Sequence, residues 1–430
     1  MGIGLLGLGV VGSGVARILS EKQEALAGMV GCPIKLKGVL IRDTEKQRAY
    51  QVPRKLVTTN FDEVVNNPEV NIVVEVMGGE DPTLDYMLKA ISVGKHIVTA
   101  NKEVMARHGP DILTLARKKG VHVMFEASVA GGTPIIAPLL RDLIANDILS
   151  VSGIINGTTN YILTRMAKEG VDFADALEEA QALGYAEADP SNDIQGTDAA
   201  YKLAILSTLA FRARVKDSDV YREGITKLRA RDFQYASDLG YTIKLMGMAR
   251  RINGGLQVRV HPTFVPKGEM IAKVDGVLNA VEVESDLAGR VLFHGRGAGS
   301  LPTTSAVVAD IVATARNIIG NVKPVAAFKL NESTVICPME DLETKYYIRM
   351  TVLERPGVLA QITKVIGDAR ISISSIIQKE TDEIAQKAEI VITTHKARES
   401  SMQKALKQME DLEVVSEIGN VVRVEEWEKQ

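Results

Sequence analysis

Three groups of residues have types and spacings suited to chemistry. The first is Gly7-Leu8-Gly9-Val10-Val11-Gly12. An apolar run, Gly2–Leu6, precedes it and a helical pattern, Val10–Leu26, follows, so the glycines lie on a strand-to-helix turn. Gly7 permits the tight turn, Gly9 lets the backbone approach a pyrophosphate, and Gly12 lets the helix pack close to the strand. The helix N-terminus then offers free N–H groups and a positive dipole end to phosphates. In this strand–turn–helix context the spacing predicts a bound dinucleotide. The second group is Val39-Leu40-Ile41-Arg42-Asp43, ending the second strand. An acid there would bond a ribose 2′-hydroxyl, whereas an arginine accommodates a 2′-phosphate. Arg42 comes first, with Lys46, Arg48, Arg54 and Lys55 behind it, which favours NADP(H) over NAD(H); Asp43 keeps NAD(H) open. The third group is Asp198 and Lys202, four residues apart on a predicted helix and therefore on one face. They are either a functional pair, the carboxylate orienting the lysine or a water, or a surface ion pair contributing about 0.2–0.5 kcal/mol.

The elements that must position these groups follow from the periodicities. In the first third, apolar strands (Gly2–Leu6, Ile34–Ile41, Asn71–Val76, His96–Ala100, Val121–Phe125) alternate with helical patterns (Val10–Leu26, Pro82–Val93, Glu103–Lys119). This predicts βαβ units and a parallel sheet. Thr99-Ala100-Asn101-Lys102 closes one strand at its carboxyl end, where open α/β sheets place ligands. The middle is richer in helices: Pro134–Ala145, Thr158–Glu169, Phe173–Leu183 and Thr197–Phe211, with strands Leu149–Ile155 and Leu256–His261 between them. A helix Thr304–Ile319 follows the glycine-rich turn Gly295–Gly299. From Tyr346 the order is strand (to Leu353), helix (Gly357–Asp368), strand (Ile371–Lys379), strand (Ala388–Thr394), helix (Glu399–Glu410) and strand (Val414–Glu417, Val421–Val424). That is the split βαββαβ plan.

The expected fold is α/β. A Rossmann-type doubly wound parallel sheet spans 1–133, with helix 304–319 returning to it. An α+β catalytic and dimerisation domain spans 134–303, a linker 320–345, and a ferredoxin-like domain 346–430.

Composition limits the function classes. A net charge of −3 gives no electrostatic reason to expect nucleic acid or an anionic membrane as partner. No apolar run approaches the roughly 20 residues needed to span a bilayer. Met1–Leu6 has no basic region and enters the first motif directly, so no secretory leader is expected and the default location is the cytoplasm. Two distant cysteines, Cys32 and Cys337, fit a reducing compartment and neither a disulfide scaffold nor a zinc site; each is expected to be small, buried and unreactive.

Longer blocks then carry a family resemblance. Thr99-Ala-Asn-Lys102, Glu126-Ala-Ser-Val-Ala-Gly-Gly-Thr133, Asn156-Gly-Thr-Thr-Asn160 and the stretch from Gly184 through Glu187, Asp193 and Asp198 to Lys202 resemble the homoserine dehydrogenase family over about residues 1–320. The terminal βαββαβ unit, with Glu354-Arg-Pro-Gly357 at its first strand-to-helix turn, resembles a regulatory ACT domain. The combination is similar to the monofunctional form, without an aspartokinase domain.

The resemblance implies reversible reduction of L-aspartate 4-semialdehyde to L-homoserine by NAD(P)H, on the route to threonine, methionine and isoleucine. It implies Lys202 as proton donor and Lys102 beside both nicotinamide and substrate. Two lysines facing one oxygen lower each other's pKa towards neutrality. Glu187 binds the substrate ammonium, Asp193 shares that work, and within this block Asp198 is functional. Glu126 with the carbonyl oxygens of Val129, Gly131 and Thr133 would surround a sodium ion, an all-oxygen set suited to a hard cation. Gly299 would be a further cofactor contact. At Gly357 the close approach and the following helix N-terminus would hold an effector carboxylate, threonine by preference. The expected assembly is a homodimer or homotetramer. The alternatives are a dehydrogenase of another amino-acid semialdehyde and a non-enzymatic NADPH and amino-acid sensor. Other residues are expected to be structural: His108 as a helix end, His122 within a strand, Arg229-Ala-Arg231-Asp232 as a solvated helix face, and Trp427 without an evident partner.

Overall fold

The computed structural model describes residues 1–252, 254–324, 330–382 and 386–426; Trp427 and part of the expected linker lie outside them. The chain forms two compact units interleaved in sequence. One comprises residues 1–151, 199–220 and 278–334, the other 152–198, 221–277 and 335–430.

The first unit is built on a six-stranded parallel sheet. Its spatial order is Val57–Thr58, Lys35–Leu40, Gly2–Leu6, Ile72–Glu75, His96–Thr99, Val123–Met124. In chain order this is 3-2-1-4-5-6, so the direction of winding reverses between Gly2–Leu6 and Ile72–Glu75. That switch point is where doubly wound sheets bind dinucleotides. The strands are short apolar runs because both faces are covered. Ile3, Leu5, Ile72 and Val74 share a core with Val15 and Leu19 of the first helix and with Val307, Ile311 and Ala315 of the helix Ser300–Ile319. The two helices approach closely: a Cβ on Gly14 would lie 2.2 Å from Thr304 Oγ1.

Two expected helices differ. Val10–Leu26 is two helices, Val10–Glu21 and Gln23–Val30, broken at Lys22. Pro134–Ala145 is reduced to a single wide turn, Pro138–Asp142. Pro134 and Pro138 have no N–H to give a helix, and the N–H groups of Ile135, Ile136 and Ala137 donate to the Glu126 carboxylate instead. His108 and Pro110 lie inside the helix Lys102–Lys119, so His108 does not end it. Cys32 and Cys337 are half-buried, not buried.

In the second unit, a hairpin of Tyr241–Ile252 and Gly255–Pro266 leads into the C-terminal βαββαβ domain. That domain's strands lie in the order Val415–Val424, Glu343–Leu353, Lys387–Thr394, Ile373–Asp382, all antiparallel. Val415–Val424 also pairs in parallel with Gly255–Pro266, through Thr263–Arg423 and Phe264–Val424, so one sheet runs from the hairpin into the domain. Along Glu343–Leu353 the side chains alternate. Tyr346, Ile348, Met350 and Val352 pack on the domain's two helices, while Tyr347 and Arg349 turn to the other face. There they bond Asp232, on the helix Ala230–Asp238. Asp232 is fully buried, which overturns the solvated-face reading at that residue, while Arg229 and Arg231 are exposed as expected. Its partners lie more than a hundred residues away, beyond the reach of a local pattern.

Among the described residues, no helix is long and apolar enough to cross a membrane.

Candidate active site

The glycine turn leaves room for a phosphate. Gly7 has φ 96° and its N–H donates to Leu40 O at 3.0 Å. A Cβ on Gly12 would meet Gly7 O at 2.1 Å, so that glycine serves the helix–strand packing. A Cβ on Gly9 would meet nothing within 4 Å, so nothing in the protein itself requires a glycine there. Open space above a helix N-terminus is what an approaching pyrophosphate needs. Leu8 is buried beneath the turn and Val10 is 70% exposed beside it, with Val11 partly covered. Gly299, φ 113°, precedes the helix Ser300–Ile319, and the Ser300 hydroxyl donates to Val10 O at 3.4 Å. The Gly299 turn is thereby brought to the glycine fingerprint.

Arg42 is exposed just beyond Lys35–Leu40. Its neighbour Asp43 turns its carboxylate onto its own loop, accepting the N–H groups of Glu45 at 2.8 Å and Lys46 at 3.2 Å.

At the switch point, Glu75 closes the strand Ile72–Glu75 and is fully buried. Its carboxylate accepts the N–H of Met77 at 2.7 Å, the N–H of Gly78 at 3.3 Å and the hydroxyl of Thr99 at 2.5 Å. Burial pushes its pKa up, and these donors pull it back. Thr99 Oγ1 in turn accepts the Asn101 N–H at 3.0 Å. Asn101 caps the helix Lys102–Lys119 by accepting the Val104 N–H, so Lys102 stands at the helix's first position. One turn on, Arg107 pairs with Glu80 and donates to the Tyr201 hydroxyl at 2.8 Å. Tyr201 adjoins Lys202 on the helix Thr197–Phe211, so the two helices bearing Lys102 and Lys202 are tied together. His108 Nε2 also meets Glu80, at 2.7 Å.

Asp198 and Lys202 are 3% and 9% exposed, which excludes a solvated surface pair. Asn156 caps the helix Gly157–Glu169, accepting the Thr159 N–H, and its Nδ2 donates to Asp193 Oδ1 at 2.6 Å and to Asp198 Oδ2 at 2.8 Å. Glu187 is exposed on the loop before Asp193.

Sequence reasoning passed over Glu75, and it quoted Asn156 only as the start of the block Asn156–Asn160, without a role. Each left a faint signal: a lone acid in the apolar run NIVVEV, and an asparagine at a helix start.

The loop after Val123–Met124 carries the candidate cation ligands. Both Glu126 oxygens already accept backbone N–H groups, from Ile135 at 2.6 Å, Ile136 at 2.8 Å and Ala137 at 2.7 Å. Val129 and Thr133 are buried, Gly131 has φ 44°, and Thr133 Oγ1 is buried without a hydrogen-bond partner. Asp310, accepting the Glu126 N–H at 2.9 Å, is pushed up to about 8, first by burial. Among the described residues no three acidic, histidine or cysteine side chains converge as a metal site. Backbone oxygens of a buried loop remain a chemically suitable set for a hard monovalent ion. Gly357, φ 89°, caps the helix Val358–Asp368.

Comparisons with known proteins agree along the whole chain. Residues 7–126 match the model of the homoserine dehydrogenase NAD binding domain, 134–312 that of homoserine dehydrogenase, and 346–414 that of the ACT domain. A homoserine dehydrogenase of Neisseria gonorrhoeae is 44% identical over 98% of both chains. The crystal structure of one from Thiobacillus denitrificans is 43% identical, covers 99% of this chain and 98% of its own, and superposes with a TM-score of 0.91. A hyperthermophilic archaeal homoserine dehydrogenase solved in complex with NADPH is 28% identical, covers 73% of this chain and 97% of its own, and gives a TM-score of 0.61.

Proposed function

The chain belongs to the homoserine dehydrogenase family and is a nicotinamide-dependent oxidoreductase, and from that premise we propose how its residues reduce L-aspartate 4-semialdehyde to L-homoserine. When bound, the dihydronicotinamide supplies a hydride to the aldehyde carbon. The aldehyde oxygen then gathers negative charge and must take a proton. Lys202 donates it; in the reverse direction the same amine accepts it. Lys102 adds positive charge beside the nicotinamide and the substrate. Glu187 and Asp193 hold the substrate ammonium, and Asp198 orients Lys202. The observation that carries this is the single Asn156 amide bonded to both Asp193 and Asp198, with Lys202 buried one turn beyond Asp198. It ties the ammonium-binding acid to the proton-donating helix.

Gly7, Leu8, Gly9, Val10, Val11, Gly12 and Gly299 hold the cofactor, and the open space at Gly9 supports this. NADP(H) is the preferred form, a reading supported by Arg42, exposed just past the end of the second strand, and by Asp43, engaged with its own backbone. Glu126 and the carbonyls of Val129, Gly131 and Thr133 hold a sodium ion that stiffens this loop. The ACT domain binds an amino-acid effector, threonine by preference, and adjusts turnover.

The test follows NADPH absorbance with aspartate semialdehyde. Oxidation is expected; its absence with both NADPH and NADH would sink the assignment. Lys202→Ala is expected to abolish turnover while NADPH still binds. Loss of both would make Lys202 a folding residue.

A further inference from the structure

Glu75 ends the strand Ile72–Glu75 at the switch point, and its two oxygens anchor two different loops. One accepts the N–H groups of Met77 and Gly78, which open the turn Met77–Gly79. The other accepts the hydroxyl of Thr99, at the end of the neighbouring strand. The loops are also joined directly, since Asn101 Nδ2 donates to Gly79 O at 2.7 Å. The chain leaving Glu75 abuts the glycine fingerprint: a Cβ on Gly7 would lie 3.0 Å from Val76 O and 3.1 Å from Met77 Cγ. A Cβ on Gly78 or Gly79 would meet nothing within 4 Å, so space is open beside the turn, as it is at Gly9.

This shell is built for an anion. Met77, Gly78 and Thr99 all donate to the carboxylate, and a protonated carboxyl would bring one more hydrogen into a shell of donors. A glutamine of the same shape would accept from Met77 and Gly78 equally well, without taking a charge out of water. What the carboxylate alone supplies is a fixed negative charge beneath the crevice. In a doubly wound sheet of this order, each half holds one mononucleotide. The fingerprint and Arg42 belong to the first half, so the nicotinamide half faces the ends of Ile72–Glu75 and His96–Thr99.

We propose that Glu75 is a positioning residue for the hydride transfer: its buried charge favours the oxidised, cationic nicotinamide over the neutral reduced ring, and its bond to Thr99 holds the loop that sets Lys102. This rests on the placement of Lys102 beside the nicotinamide in the reading above. Hydride leaves the reduced ring with both electrons and joins the aldehyde carbon. The aldehyde oxygen takes a proton from Lys202, and one positive charge is left on the ring. A fixed anion nearby stabilises that charge as it forms. Lys102, set beside the ring to meet the substrate oxygen, by itself opposes a cationic ring, and an anion behind the same loop offsets it. Glu75 acts from beneath the loops, without a bond to the reacting atoms.

The experiment uses the full chain and measures Kd for NADP+ and for NADPH separately, by calorimetry without substrate. Glu75→Gln keeps the shape and removes the charge; Glu75→Asp keeps the charge and shortens the reach. Glu75→Gln is expected to weaken NADP+ about tenfold and NADPH less than about twofold, the size of one shielded charge interaction. Glu75→Asp is expected to keep the wild-type ratio of the two constants. Thr99→Val cuts the bond from Glu75 to the Lys102 loop and is expected to lower kcat for reduction about tenfold or more, with both cofactor affinities kept; Thr99→Ser retains the hydroxyl and the rate. An equal loss for both cofactors in Glu75→Gln, or no change in their ratio, would make the carboxylate a structural anchor only and overturn the proposal. If Glu75→Gln does not fold, Thr99→Val carries the test, and an unchanged kcat there overturns it. If the wild-type chain binds neither NADP+ nor NADPH, the cofactor reading itself falls.

Discussion

One amide nitrogen, Asn156 Nδ2, holds Asp193 and Asp198 at 2.6 and 2.8 Å and so fixes the spacing of two carboxylates that repel each other. A hydrogen bond to a charged group contributes about 1.5–3 kcal/mol. Asn156→Ala is therefore expected to lower kcat/KM for aspartate semialdehyde by about 10- to 100-fold. NADPH affinity, read by fluorescence titration, should stay put; an equal loss in both would mean the helix cap, not the acids, was the main casualty. Arg42 is tested by cofactor discrimination. Arg42→Ala should raise KM for NADPH about tenfold, some 1.4 kcal/mol, and leave NADH almost unaffected. Equal changes with both cofactors would remove the basis for an NADP(H) preference. The turn that carries Gly9 and the strand end before Arg42 were both legible in the sequence, because each depends on residues close by in the chain. Glu75 was not, because its partner Thr99 belongs to the neighbouring strand.

At the scale of elements, the helix Ala230–Asp238 shows why charge alone misleads. Asp232 accepts from Arg349 Nε at 2.7 Å, the Tyr347 hydroxyl at 3.0 Å, Asn420 Nδ2 at 2.9 Å and the Arg229 N–H at 2.9 Å. An arginine-rich helix start looks solvated until an opposing strand supplies a buried guanidinium. Removing one partner of a buried pair strands the other, at a cost of about 3–5 kcal/mol. Asp232→Ala should lower the urea midpoint accordingly, and a change under about 1 kcal/mol would mean water replaces the lost carboxylate. The expected helix at Pro134–Ala145 failed for a related reason. Its N–H groups were claimed by Glu126, which no helical periodicity reveals.

At the scale of the whole molecule, the C-terminal domain is not an appendage. Its last strand extends the Gly255–Pro266 hairpin, and Phe264 packs its ring 4.6 Å from Tyr347. Cutting the chain after Lys345 would open a sheet edge and leave Asp232 buried without Arg349, Tyr347 or Asn420. Such a fragment is expected to lose a cooperative thermal transition and to aggregate in light scattering. A soluble fragment melting cooperatively would show that the remaining chain closes over the exposed edge. Regulation is for this reason better tested by point substitution in the intact chain than by truncation.

By itself, the sequence determined what short-range chemistry can encode. The glycine turn, the alternation of strands and helices, the βαββαβ order and the Asp198–Lys202 face all depend on neighbours within a few residues. The long motif blocks carried the resemblance from which the reaction followed. Only the tertiary structure decided which groups share hydrogen bonds across large separations. It joined Asn156 to Asp193 and Asp198, Glu75 to Thr99, and Asp232 to Arg349. The physical reason is burial. A polar group removed from water must find a partner, and which one it finds depends on how distant strands come to lie side by side.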